Sequence, residues 1–364
     1  MILTAGPSIT QKEIAYVTDA ISNGHGEMCN YYIKKFEKSF AEYIGVKHAL
    51  ATSSCTGALH LALVALGIGK GYEVIVPDMS WIATASSIIY TGAKPVFVDI
   101  MSDSWCIDPE EIKLKITART KVIIPVHLYG QPCLMEEIMN IANTFGLKVI
   151  EDAAPSVGAE FMGRKTGSFG DVGCFSFQGA KILSTGEGGM LVTNNTDLFE
   201  DIKQLSEHGR SGSGFDITSI GYKYKMSNLQ AAMGLAQLER IDELIWRKKQ
   251  IYEWYYGELG NIEGLLLNKQ KTDDENPIYW MTSIVLQKDF GISRDEVMLE
   301  LKKNNIDSRP FFPLMSSFRM FRKCDNFIAE FVGKNGINLP SGHNITHDEV
   351  MYICKYVKTI LNVA

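Results

Sequence analysis

Short apolar runs alternate with stretches of helical period along the first half of the chain. Residues 49–52, 73–76, 95–98, 122–126 and 148–150 read as strands, the last running into Glu151-Asp152. Between and before them, 8–22, 33–45, 58–66, 81–91 and 135–145 carry helical spacing, and Asp108-Pro109-Glu110-Glu111 is a helix start with a good cap signal. Strands and helices in this rhythm predict a mostly parallel sheet with helices on both faces. After a further strand over 190–193, a glycine- and serine-rich loop spans about 209–221. Residues 226–259 then read as one long helix or two abutting ones. Beyond it, a strand over 279–287, a helix over 294–304, a strand over 308–312 and a final helix over 347–361 predict a smaller α+β domain. The expected architecture is α/β, divided into 1–240 and 241–364.

The stretch from Gly173 to Met190 breaks the pattern. It reads as a buried strand, a turn holding Lys181, and a glycine-rich run into the next strand. Burying an ammonium costs several kcal/mol or lowers its pKa. Lys181 is therefore either a surface lysine before a hairpin or a nucleophile able to form a Schiff base.

Composition narrows the choices. The chain has 364 residues, 46% of them hydrophobic, with a net charge of -6 and both signs interspersed. No basic block points to nucleic acid, and apolar runs stop short of membrane-spanning length. Seven cysteines, an odd number with no paired spacing, argue against a disulfide framework or a zinc site. With no leader pattern at the first residues, the expectation is a cytoplasmic protein with neither nucleic acid nor membrane as partner.

In open α/β sheets the site lies at the carboxyl ends of the strands. There, Ser53-Ser54-Cys55-Thr56-Gly57 is an anion pocket at a helix start or an ordinary cap. Trp81 is a stacking ring or a core residue. Asp152 pairs with a protonated ring nitrogen or caps a turn. Ser176 and Lys181 complete the set. Together these are the parts that pyridoxal phosphate needs: a phosphate cup, a stacking face, a carboxylate for the ring nitrogen and a lysine for the aldehyde.

Ser54-Cys55-Thr56-Gly57-Ala58-Leu59, Gly71 to Pro77, Val149 to Ala154, Gly170-Asp171, the run Ser176 to Gly189 and Asn228 to Ala232 resemble the DegT/DnrJ/EryC1/StrS family of sugar aminotransferases over essentially the whole chain. The resemblance implies the aspartate-aminotransferase type of fold (fold type I). It also implies Lys181 as Schiff-base lysine and Asp152 as pyridinium partner. Trp81 becomes the stacking ring, and Thr56, the Cys55 backbone and Ser176 the phosphate ligands. It further implies a homodimer whose sites are shared across the interface, and transfer of an amino group from L-glutamate to a ketosugar for surface polysaccharide. Three positions depart from the family pattern: Cys55 in place of glycine, Pro155 after the aspartate motif, and Lys223 where an asparagine usually reaches the neighbouring phosphate.

The segments 125–133, 279–281, 308–310 and 336–340 resemble members acting on GDP-linked 4-keto-6-deoxy sugars. Arg309 and His127 are the candidate substrate residues. A UDP- or dTDP-linked keto sugar and an eight-carbon ulosonic acid stay open as substrates. So do a sugar dehydratase, in which histidine replaces the lysine, and a cofactor-binding regulator.

Overall fold

The computed structural model describes residues 1–211 and 216–363; part of the loop expected at 209–221 lies outside the described residues. Thr10 and Glu13 cap each other reciprocally and start α1 (Gln11–Asn23) beyond Pro7, three residues later than the apolar spacing suggests. Helix α2 (Tyr31–Ile44) ends at Gly45 in the left-handed region, φ 83°. Then come β1 (His48–Thr52), α3 (Cys55–Ala65), β2 (Glu73–Pro77), α4 (Ala83–Tyr90), β3 (Lys94–Val98), α5 (Pro109–Lys115), β4 (Thr120–Ile123), α6 (Met135–Phe145) and β5 (Lys148–Asp152). Two short strands, β6 (Glu160–Phe161) and β7 (Arg164–Lys165), precede β8 (Val172–Ser176) and β9 (Gly189–Thr193).

The seven-stranded sheet has the order β1-β9-β8-β5-β4-β2-β3. Its pairings from β8 through β5, β4 and β2 to β3 are parallel. Only β9 runs against its neighbours β8 and β1. Both faces are buried. Val74, Val76, Ile150 and Val172 pack with α3 on one side, while Ile75, Ile123 and Val149 pack on the other in the core that includes Phe36 and Phe40 of α2. Continuous apolar strands are what a sheet covered on both faces requires. Asp152, Ser176 and the turn leading to Trp81 lie at its carboxyl edge, where the order of connections reverses between β2 and β4.

Helix α7 (Thr196–Ser206), capped by Asn195, has no counterpart in the expected pattern; only Leu198, Ile202 and Ser206 of it are buried, so its apolar stripe is thin. The long helix over 226–259 is two: α8 (Asn228–Leu238) and α9 (Ile241–Leu259). Between them Arg240 holds Glu13 at 2.7 Å and Glu243 at 2.8 Å, a pairing that local sequence does not show. The expected division at 240/241 coincides with this junction between helices. Strand β10 (Leu265–Leu267), the short β11 (Glu275–Asn276), β12 (Ser283–Leu286), α10 (Arg294–Lys303), β13 (Arg309–Pro310), α11 (Phe327–Asn335), β14 (Gly336–Asn338) and α12 (His347–Ile360) complete the chain.

The second sheet, β10-β12-β14-β13, is antiparallel and packs its own core of Ile251, Tyr255, Leu301, Ile337 and Val350. The strand expected over 279–287 is shorter because residues 278–280 are drawn away to the first domain: Ile278 N–H donates to Gly130 O and Trp280 N–H to Tyr129 O. The chain start belongs with the smaller part, since Ile2 bridges Ile306 and Thr4 Oγ1 donates to Asp307 at 2.7 Å.

Candidate active site

Strand β5 delivers two carboxylates in opposite directions. Asp152 Oδ2 accepts from Thr84 Oγ1 at 2.7 Å and Oδ1 from the Ala154 N–H at 3.2 Å. Burial pushes the Asp152 carboxyl above its ordinary value; Thr84, Ala154 and the charge of Lys181 oppose that rise. No cation of the described residues pairs with it directly. Glu151 is wholly enclosed and accepts four bonds: Phe169 and Gly170 N–H at 2.6 and 2.8 Å on Oε1, Gly167 N–H and His127 Nε2 at 2.7 and 3.0 Å on Oε2. His127 Nδ1 accepts from the Cys133 N–H at 3.0 Å, so the ring proton sits on Nε2. His127 is therefore completely buried with both nitrogens engaged inside the protein, a structural position and not an open substrate contact.

Strand β8 ends at Ser176, and a turn follows in which the Lys181 N–H donates to Gln178 O at 2.8 Å. The Lys181 side chain is half-buried. Burial pushes its pKa down to about 8, against the opposing charge of Asp152. Its Nζ lies 3.7 Å from the centre of the Trp280 ring.

Ser54 caps α3 by accepting the Gly57 N–H at 3.1 Å. Cys55 and Thr56 stand in the first turn, whose N–H groups have no partner within a helix. Gly189, paired with Ser176 across β8 and β9, runs directly against that turn: a Cβ on it would lie 2.6 Å from Cys55 N and Ser54 C. Only glycine lets β9 approach so closely, and the approach brings Ser176 to the helix start. The Cys55 thiol is buried and pushed well above its ordinary value by burial, with Asp152 and Cys174 adding and Lys181 opposing.

Trp81 is 62% exposed, a free ring face beside Phe312. Thr84 Oγ1, which holds Asp152, lies 3.4 Å from the Trp81 carbonyl and so ties the first turn of α4 to the carboxylate. Lys223 is exposed, on a segment whose Tyr224 ring packs over Gly57. Arg309 is exposed, with a 3.4 Å ion pair to Asp307. Cys55, Thr56, Ser176, Asp152 and Lys181 thus converge; Trp81 borders them, Lys223 and Arg309 face outward, and His127 lies beneath. Thr84, Glu151 and Trp280 carry no signal of their own in the chain, since each acquires its role from a distant partner.

These features suit pyridoxal phosphate. A buried carboxylate without a direct cation matches a protonated ring nitrogen. A helix start pressed against Ser176 and Gly189 matches a phosphate, and a half-buried lysine stands where the Asp152 charge acts on it. The fold and site define a pyridoxal-phosphate enzyme. The family model described as DegT/DnrJ/EryC1/StrS aminotransferase matches residues 7–358, and the chain belongs to that family. GDP-perosamine synthase of Escherichia coli O157:H7 is 41% identical, covering 96% of each chain. The GDP-perosamine synthase of Vibrio cholerae is 38% identical over 100% of both. Among solved structures, Spr1654 of Streptococcus pneumoniae in its PLP form superposes with a TM-score of 0.92 at 28% identity, covering 99% of this chain and 98% of that one. The chain is a pyridoxal-phosphate-dependent sugar aminotransferase.

Proposed function

We propose that the chain moves the amino group of L-glutamate onto the ketone of a GDP-linked 4-keto-6-deoxy sugar, of the GDP-4-keto-6-deoxymannose type. The observation that carries the reaction class is the placement of Lys181 in the turn after β8, with its Nζ 3.7 Å from the centre of the Trp280 ring and its pKa lowered by burial to about 8 against the charge of Asp152. The sugar rests on the likeness to the GDP-perosamine synthases. When bound, pyridoxal phosphate supplies the electron sink for a carbon that loses its proton. The first turn of α3, Thr56 and Ser176 bind the phosphate. Asp152 holds the proton on the ring nitrogen, and Trp81 covers a ring face. Lys181 Nζ takes the proton from the donor's α-carbon and returns it on the far side of the transfer; in the second half it runs the shift in reverse. A lysine in this role favours transamination over dehydration.

We also propose a homodimer in which Lys223 reaches the partner subunit's phosphate. Its exposure, next to a tyrosine seated on the phosphate helix, supports this reading. The test is direct. Purified enzyme is given L-glutamate with GDP-, UDP- or dTDP-linked 4-keto-6-deoxy sugars, and the amino sugar and 2-oxoglutarate are measured by mass spectrometry. Amination of the GDP sugar in preference to the others supports the proposal; preference for another nucleotide, or loss of water without amination, overturns it.

A further inference from the structure

Two segments far apart in sequence are clamped together beside Lys181. Gly130, at φ 91°, accepts on its carbonyl from the Ile278 N–H at 3.1 Å, and Tyr129 O accepts from the Trp280 N–H at 2.9 Å. A Cβ on Gly130 would meet Ile278 Cγ1 at 2.7 Å and Trp280 N at 3.0 Å, so the contact is backbone against backbone. On either side of it stand two tyrosines in the left-handed region, Tyr129 at φ 52° and Tyr279 at φ 51°. Such conformations are costly in non-glycine residues and persist where surroundings hold them, most often at functional sites. The consequence at Tyr279 is plain. Its ring packs into the core of the second sheet and stacks on Tyr252 with centres 3.6 Å apart, while the next ring, Trp280, faces Lys181. The indole N–H of Trp280 then donates to Ala180 O at 2.7 Å, tying the ring to the residue before Lys181. The ring is therefore anchored to the turn that carries the lysine.

We propose that Trp280 is a positioning residue for Lys181: its ring face receives the lysine ammonium whenever the cofactor is in its amine form and the lysine is free. The inference rests on the reading of Lys181 as the reacting lysine. A freed lysine needs a resting place that keeps it within reach without neutralising it. A carboxylate would bind it as a salt; an aromatic face attracts the ammonium through its quadrupole and leaves it free to depart. The charge of Asp152 also favours the charged form of Lys181. The ring face of Trp280 adds to it.

The experiment uses holoenzyme loaded with pyridoxamine phosphate, in which Lys181 is free. Labelling of Lys181 by an amine-reactive reagent is followed against pH by peptide mass spectrometry. In Trp280→Leu the labelling midpoint is expected to fall by roughly half to one pH unit, because the ammonium loses its ring. In Trp280→Phe, which keeps a ring, it is expected to stay within a few tenths of wild type. Should the leucine variant fail to fold, the wild-type sequence grown with a fluorinated tryptophan makes the same test; the shape of all five tryptophans is kept and only the charge on the ring face is weakened. A midpoint that is unmoved or raised, in the leucine variant or the fluorinated protein, overturns the inference. Borohydride treatment of the pyridoxal-loaded enzyme separates the two readings. Attachment to a lysine other than Lys181 overturns the assignment of Lys181 itself, while attachment to Lys181 with an unmoved midpoint overturns only the role of Trp280.

Discussion

Glu151 offers the sharpest test of how this site is built. Its carboxylate accepts from Phe169 and Gly170 on one oxygen and from Gly167 and His127 on the other. The variant Glu151→Gln keeps the shape and replaces one acceptor by a donor. Whichever way the amide turns, its NH2 faces two donors. If it faces Phe169 and Gly170, two backbone N–H groups are orphaned. If it faces Gly167 and His127, one backbone N–H is orphaned, and His127 can yield its proton only by setting Nδ1–H against the Cys133 N–H. Each unsatisfied buried donor costs about 1–3 kcal/mol, and the whole change about 3–5 kcal/mol. That is a large share of a typical stability of roughly 5–15 kcal/mol. The damage is local as well as global. Residues 167–170 form the turn into β8, which carries Ser176 and leads to Lys181, and Asp152 follows Glu151 directly. Urea unfolding read by tryptophan fluorescence is expected to shift its midpoint down by about 1 M. Cofactor absorbance should be lost at a lower urea concentration than in wild type. Glu263→Gln, which alters a fully exposed side chain, should leave both unchanged. A midpoint for Glu151→Gln indistinguishable from wild type would refute the argument that this carboxylate holds the turn.

Four further outcomes follow from the geometry. Lys181→Ala is expected to retain the cofactor through the phosphate cup and Asp152 while turnover drops by about a hundredfold or more; a wild-type rate sinks the assignment. Asp152→Asn should keep the Thr84 contact and lose the charge opposite the ring nitrogen, so turnover falls severely; a near-normal rate refutes that role. The half-reaction of the amine-form enzyme with ketosugar should rise with pH and level off above about 8, since the neutral lysine is the base and its fraction grows as pH approaches its pKa. A rate independent of pH below that midpoint counts against Lys181 as base. Gly189→Ala drives a methyl against Cys55 N and Ser54 C, each 2.6 Å away, and must displace the start of α3. An overpacking cost of about 1–3 kcal/mol corresponds to a roughly 5- to 150-fold weaker grip on cofactor, measured by absorbance titration; unchanged affinity would show that the close approach does not shape the cup.

What the chain reveals about itself depends on how local each cause is. The parallel sheet is legible because its strands are buried on both faces and read as continuous apolar runs, as at 73–76 and 148–150. The placement of Lys181 and Asp152 at the carboxyl edge of the sheet is legible because each is a charge in an apolar setting at a strand end or turn. The break between α8 and α9 is legible only as one of two alternatives, because Arg240 fits a continuous helix and its bond to Glu13 comes from more than 200 residues earlier. Thr84 is one hydroxyl among several in its helix until Asp152 arrives from 68 residues away. His127 misleads for the converse reason: a polar ring at a strand end suggests an open contact, yet Glu151 and Cys133 claim both nitrogens. Trp280 is the extreme case. Its segment carries strand-forming residues and reads as the start of a strand over 279–287, but the turn at Tyr129-Gly130 takes its backbone hydrogen bonds, and Tyr279 is forced into the left-handed region. A residue whose conformation contradicts its own local preference must be held by something distant. At this position the distant element delivers an aromatic face to Lys181, the lysine to which the proposed mechanism gives the proton transfer, so the misread strand and the position of Trp280 have a single physical cause.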